Sequence, residues 1–171
     1  MMKRQVRAVL LPISLFAASA FTPLVHGAQS AAPVSLAGTW TLVAADVKHA
    51  DGSQAHDYGA SPEGSLMVDD DGRYALQIFK AERTPFPMAD KSKGTASDYQ
   101  SAVMGSSTHY GTISVDQNDM TLTFHIQDSS FPDWKGQSQK RRFTLTGSEL
   151  SYFGVPRPNG DVPISVWKRL Q

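Results

Sequence analysis

The 171-residue sequence contains no cysteine. That absence excludes a disulfide framework, a thiolate metal site, a cysteine nucleophile and lipidation at an N-terminal cysteine. An excess of charge of one sign is missing as well, since Lys and Arg number 16 and so do Asp and Glu. The longest basic run is Lys140-Arg141-Arg142, which falls short of the basic stripe that a nucleic-acid partner requires. No Gly-x-Ser-x-Gly elbow occurs, and Gly105-Ser106-Ser107 does not match one. Gly59 and Gly64 straddle Pro62 and do not open a helix, so no phosphate-cradling loop is present. Metal ligands are sparse. His49 and His56 share a loop with Asp51 and Asp57 and read as solvated residues, so neither a metal nor a cofactor is implied.

Long apolar runs are confined to the N-terminus. Lys3, Arg4 and Arg7 precede the mostly apolar Val9–Phe21, and Val25-His26-Gly27 offers small residues at the −3 and −1 positions. This pattern predicts a secretory signal peptide over residues 1–27, too short and interrupted to span a membrane, with cleavage after Ala20 or Ala28 as the alternatives. Residues 28–171 then carry three more acidic than basic side chains. An exported chain without cysteine suits a soluble protein, periplasmic or secreted, with no membrane anchor after cleavage. Residues 28–35 read as a flexible lead-in, and 36–171 suit a single domain.

What the chain does have is two-residue alternation. Strands are expected at 36–47, 64–69, 73–79, 108–115, 120–127, 137–145, 149–154 and 162–170. The loop Asp70-Asp71-Gly72 places glycine for a left-handed turn position, pairing Val68 with Tyr74 and Leu66 with Leu76. The second hairpin is expected to turn at 116–119, pairing Val115 with Met120, Ile113 with Leu122 and Gly111 with Phe124. That register sets Tyr110 opposite His125 on the other face. A third hairpin over Gly147-Ser148 pairs Leu145 with Leu150 and Phe143 with Tyr152. Between strands, Pro85-Phe86-Pro87 excludes a central strand. Ser97 and Gln100 fit a capping box for a short helix near 97–104, laying Tyr99, Ala102 and Val103 against one barrel end. The fold class is therefore all-β: an eight-stranded antiparallel up-and-down barrel, closed so that no edge is left unpaired.

Leu-Ala-Gly-Thr-Trp-Thr-Leu-Val (36–43) opens the first strand, and Val-Trp-Lys-Arg (166–169) closes the last. An indole covered by a guanidinium at this place shuts lipocalin and other calycin barrels, so Trp40, Trp167 and Arg169 are read as closure residues. Between them lie Tyr-Gly-Ala-Ser-Pro-Glu-Gly-Ser-Leu (58–66), Asp-Asp-Asp-Gly-Arg-Tyr (69–74) and His-Tyr-Gly-Thr-Ile-Ser-Val (109–115). Asp-Trp-Lys-Gly-Gln-Ser-Gln-Lys-Arg-Arg-Phe (133–143) follows. In this order the chain resembles the bacterial and fungal lipocalin-like domain family. The resemblance implies a calycin-like barrel and little about activity.

Alternation points Tyr74, Leu76, Phe124, Arg141, Phe143 and Tyr152 into the barrel, and Trp134 lies on a loop at its mouth with Phe131. An inward arginine needs a carboxylate, carbonyls or an anionic ligand group. The first reading is thus a protein that holds a small, mainly apolar molecule, neutral or anionic, in the barrel. The second is an isomerase, cyclase or hydratase of a small hydrophobic substrate using Tyr110 and His125 as acid and base, which requires both in the lumen. The third is a filled barrel that acts through its outer surface.

Overall fold

The computed structural model describes residues 33–171; the expected signal peptide and residues 28–32 lie outside them. The strands are β1 (Gly38–Lys48), β2 (Gln54–Ala55), β3 (Glu63–Val68), β4 (Arg73–Phe79), β5 (Ser106–Asp116), β6 (Thr121–Ser129), β7 (Ser138–Thr146), β8 (Glu149–Phe153) and β9 (Val162–Arg169). One α-helix, α1 (Ala96–Met104), precedes β5, with short 3₁₀ turns at 87–89, 91–93 and 132–134. All strand pairs are antiparallel, and β9 returns to β1, which closes the eight long strands into a barrel. The two-residue β2 is an addition that alternation did not announce, pairing only with the end of β1.

Antiparallel up-and-down order puts the three short turns, at 69–72, 117–120 and 147–148, at one end with both flanks of the barrel domain. The long connections 49–62, 80–105, 130–137 and 154–161 gather at the other. The interior is packed by large side chains: Trp40, Leu66, Leu122, Phe124, Leu150, Tyr152 and Trp167 are fully buried. They belong to five strands, each of which turns one apolar face to a common core.

The first hairpin pairs Val68 with Tyr74 and Leu66 with Leu76, and the third pairs Leu145 with Leu150 and Phe143 with Tyr152, as expected. The second hairpin differs by two residues. Val115 faces Leu122, Ile113 faces Phe124 and Gly111 faces Ile126. Met120 adopts φ 50° and therefore belongs to the turn, so the four-residue loop sits one position later than expected, at 117–120. Beyond Gly111 the register shifts again: Tyr110 faces Asp128, leaving Gln127 as the extra residue of a β-bulge. The bulge needs Gly111, because a Cβ there would collide with the His125 carbonyl oxygen.

The helix also differs from its expectation. Its cap is Thr95, whose hydroxyl accepts from the Asp98 amide while the Asp98 carboxylate accepts from the Thr95 amide. Ser97 and Gln100 are thus ordinary residues within α1, and no residue of the helix is buried. Tyr99 does not pack on the barrel end; its hydroxyl donates to the Lys91 carbonyl and its ring lies 5.3 Å from Phe86. Val103 is exposed as well. The segment is tied to the barrel by Lys80, whose amide donates to the Gly105 carbonyl at 2.9 Å.

Candidate functional site

At the short-turn end the two flanks of the domain meet. Trp40 lies opposite Arg169 in the β1–β9 register, and the Arg169 guanidinium carbon sits 4.3 Å from the indole centroid. Its two terminal nitrogens donate to the Ala37 and Ser35 carbonyls at 3.1 and 2.6 Å. Gly38, at φ 128°, leaves the space along which the Arg169 stem runs. The Trp40 indole N–H donates to Leu36 at 2.9 Å, so this end is both covered and satisfied. Of the stretch read as a lead-in, Val34 packs against the core.

Above this closure an aromatic column fills the lumen. Tyr74 meets Phe124 edge-on at 4.9 Å, and Phe124 meets Tyr152 at 5.5 Å. His109 completes it, 5.2 Å from Phe124 and 5.9 Å from Trp134, which in turn packs on Phe131 at 5.6 Å. Trp134 sits on the 3₁₀ turn at 132–134, at the end with the long connections. Leu76 lies opposite His109, and Phe143 opposite Tyr152; both are buried. The Tyr74 hydroxyl meets His109 Nδ1 at 2.7 Å. Burial raises the Tyr74 phenol and pushes the His109 imidazole down to about 3, with the Arg141 charge adding to the latter. Both groups are neutral near pH 7 and share one hydrogen bond, whose donor is set by the imidazole tautomer.

Arg141 enters the same column from β7. Its guanidinium carbon lies 4.6 Å from the Phe124 centroid and 5.2 Å from that of Tyr152, and Nη2 donates to the Gln139 side-chain oxygen at 2.5 Å. Nε is sealed from solvent and has no partner among the described residues. Among those residues no carboxylate comes within ion-pair distance of Arg141. Burial therefore pulls this guanidinium below its ordinary value, while the nearby Tyr152 and Tyr74 phenols act in the opposite sense. Arg141 also borders an open cleft of about 450 Å³ with Asp119, Thr121, Lys140 and Arg142, beside the turn at 117–120.

Two residues expected to form a pair do not. Tyr110 and His125 both lie on the outer wall, and the bulge places Tyr110 opposite Asp128 and His125 opposite Thr112. His125 bonds instead to Ser114 and Ser138 on its own face, at 3.2 and 2.9 Å. Tyr110, with Met67 and Ala75, lines an open outer groove of about 480 Å³. An acid–base site shared by Tyr110 and His125 is thus removed. The loop histidines are held separately, His49 by Asp161 at 3.0 Å and His56 by Asp46 at 2.9 Å, and Arg157 meets Asp57 at 2.6 Å. Among the described residues no group of three or more potential ligands could hold a metal. His109 escaped the sequence reading, although it stands two residues before Gly111 and so on the inward face.

A family model described as a lipocalin-like domain matches residues 37–161. A lipocalin-like protein from Bacteroides uniformis, known from a crystal structure, is similar with a TM-score of 0.41 at 14% sequence identity, over 79% of this chain and 98% of that one. No curated protein matches. With the matched residues running from the Gly-x-Trp strand to the threshold of β9, the chain belongs to the lipocalin-like domain family.

Proposed function

We propose that this protein binds a small, mainly apolar molecule that carries one anionic group, with Arg141 holding the anion. The observation that carries the reading is the Arg141 guanidinium, inside an aromatic lumen with no carboxylate among the described residues to neutralise it. A buried cation left this way is costly, and an arriving anion removes the cost while forming charge-assisted hydrogen bonds. The Phe124 and Tyr152 faces beside it suit an apolar body. The basic start and apolar run of residues 1–27 support export to the periplasm or the medium; fractionation of cells expressing the full chain tests this.

The binding test is a calorimetric titration with octanoate and with 1-octanol, compounds of equal chain length that differ in charge. Octanoate is expected to bind at least tenfold more tightly. Arg141→Met, which keeps the apolar stem, should abolish that preference, since a hydrogen bond to a charged group contributes about 1.5–3 kcal/mol. If wild-type protein takes up neither compound, the reading is wrong. That outcome favours the filled barrel acting through its outer wall, for which the seven fully buried large side chains speak.

A further inference from the structure

The lumen holds more unpartnered donors than Arg141. Tyr152 and Trp167, at 1% and 0% exposure, each bury a polar atom, the phenol oxygen and the indole Nε1, with no hydrogen-bond partner among the described residues. The sheet register brings them together: Tyr152 lies opposite Ser165 and Phe143, and Trp167 opposite Leu150, two positions along the same β8–β9 pair. Arg141, Ser165 and Trp167 all lie close to the Tyr152 hydroxyl without meeting it at hydrogen-bond geometry. Burial raises the Tyr152 phenol, so it keeps its proton and is available as a donor.

The contrast with the rest of the interior is informative. The Trp40 indole is equally buried and is satisfied by the Leu36 carbonyl; Tyr74 is satisfied by His109. Native interiors rarely leave such atoms unpaired, and here three donors from three strands are left around one place. An indole N–H and a guanidinium N–H can only donate, so they cannot satisfy each other. The Tyr152 and Ser165 oxygens could accept, but they are neutral and do not meet the indole or the guanidinium at hydrogen-bond geometry. What the place lacks is a negatively charged acceptor, the best complement to the guanidinium.

We infer that the Tyr152 hydroxyl, the Trp167 indole N–H and the Arg141 Nε–H together receive one carboxylate of the bound molecule, so that this cluster selects a carboxylic acid over neutral ligands of the same shape. The inference rests on the binding reading above and goes beyond it by assigning the head-group site to Tyr152 and Trp167.

The test uses octanoate and 1-octanol as probes on the full mature chain. In two-dimensional ¹H–¹⁵N spectra with assigned indole resonances, saturating octanoate should move the Trp167 Nε1–H signal downfield, whereas the Trp40 signal, already bonded to Leu36, stays in place. Tyr152→Phe removes one donor and no apolar surface. It should lower octanoate affinity about five- to twentyfold, leave 1-octanol affinity unchanged, and keep or raise the melting temperature of the free protein. A Tyr152 with a merely structural role would not change the ratio of the two affinities. If octanoate is preferred over 1-octanol but the Trp167 signal is unmoved and Tyr152→Phe preserves the ratio, the head-group assignment fails while the binding reading stands. If neither probe binds, both fail.

Discussion

Acidification should expose the cost of burying His109. In the unfolded chain its imidazole titrates at the ordinary 6.5, whereas in the barrel burial holds it down to about 3. Between those values the unfolded state binds a proton that the folded state does not, so stability falls as the pH falls, and below the lower value the loss stops growing. At about pH 4.5 the folded imidazole is still unprotonated, so the unfolded chain's titration sets the loss: about 1.4 kcal/mol per pH unit below 6.5, or roughly 2.5 kcal/mol relative to pH 7. Carboxylates held low by hydrogen bonds, such as Asp98 and Asp161, also weaken the fold in acid. The measurement is therefore a difference. Urea unfolding of wild type and His109→Gln is compared at both pH values, the glutamine keeping an acceptor for the Tyr74 hydroxyl. Wild type should lose roughly 2.5 kcal/mol more than the variant on acidification. Equal losses in the two proteins would show that His109 is not held neutral by the aromatic column.

Gly111→Ala should destabilise the barrel by more than about 2 kcal/mol in urea unfolding, because the added Cβ meets the His125 carbonyl and the bulge must open. Arg169→Met should cost about 1–3 kcal/mol through the lost indole contact and two carbonyl bonds, and Arg169→Lys should recover less than half, since an ammonium cannot reach both carbonyls as a fork does. Thr95→Ala should speed hydrogen exchange through α1 while moving the global unfolding free energy by less than about 1 kcal/mol, because no residue of that helix is buried. Tyr110→Phe and His125→Ala should leave octanoate affinity unchanged, as both side chains lie on the outer wall.

The parts of the fold legible in the sequence are those whose turn chemistry is written locally. Asp70-Asp71-Gly72 and Gly147-Ser148 name their own turns, and the registers of both hairpins follow. The second hairpin had no such signal, because nothing about methionine announces the left-handed backbone that Met120 adopts. Its bulge was hidden for a related reason: alternation runs smoothly through Tyr110 and His125, and the one mark of the irregularity is Gly111. The helix cap slipped because Ser97 and Gln100 match the commoner capping pattern, while the shorter Asp98 side chain closes the same box with Thr95. Inward parity placed Arg141, Tyr74, Phe124 and Tyr152. The same parity carried one step further would have added His109.

The orphaned donors were beyond the reach of parity altogether, since Arg141, Tyr152 and Trp167 come from three strands and their proximity depends on how far the rows of the barrel are staggered. Their meaning comes from what surrounds them. Almost every other buried polar group in the lumen finds a partner within the chain: Tyr74 on His109, Trp40 on Leu36, Arg141 Nη2 on Gln139. A fold that satisfies these and leaves two donors open beside a cation with an open donor of its own has given up stability at one place. In a protein that only needed to fold, an apolar residue at position 141 would be the more stable choice, since well-packed hydrophobic groups commonly outperform an uncompensated buried charge. An arginine stands there instead, flanked by a phenol and an indole left without partners at hydrogen-bond geometry, and the proposed carboxylate would supply the negative charge that this place lacks.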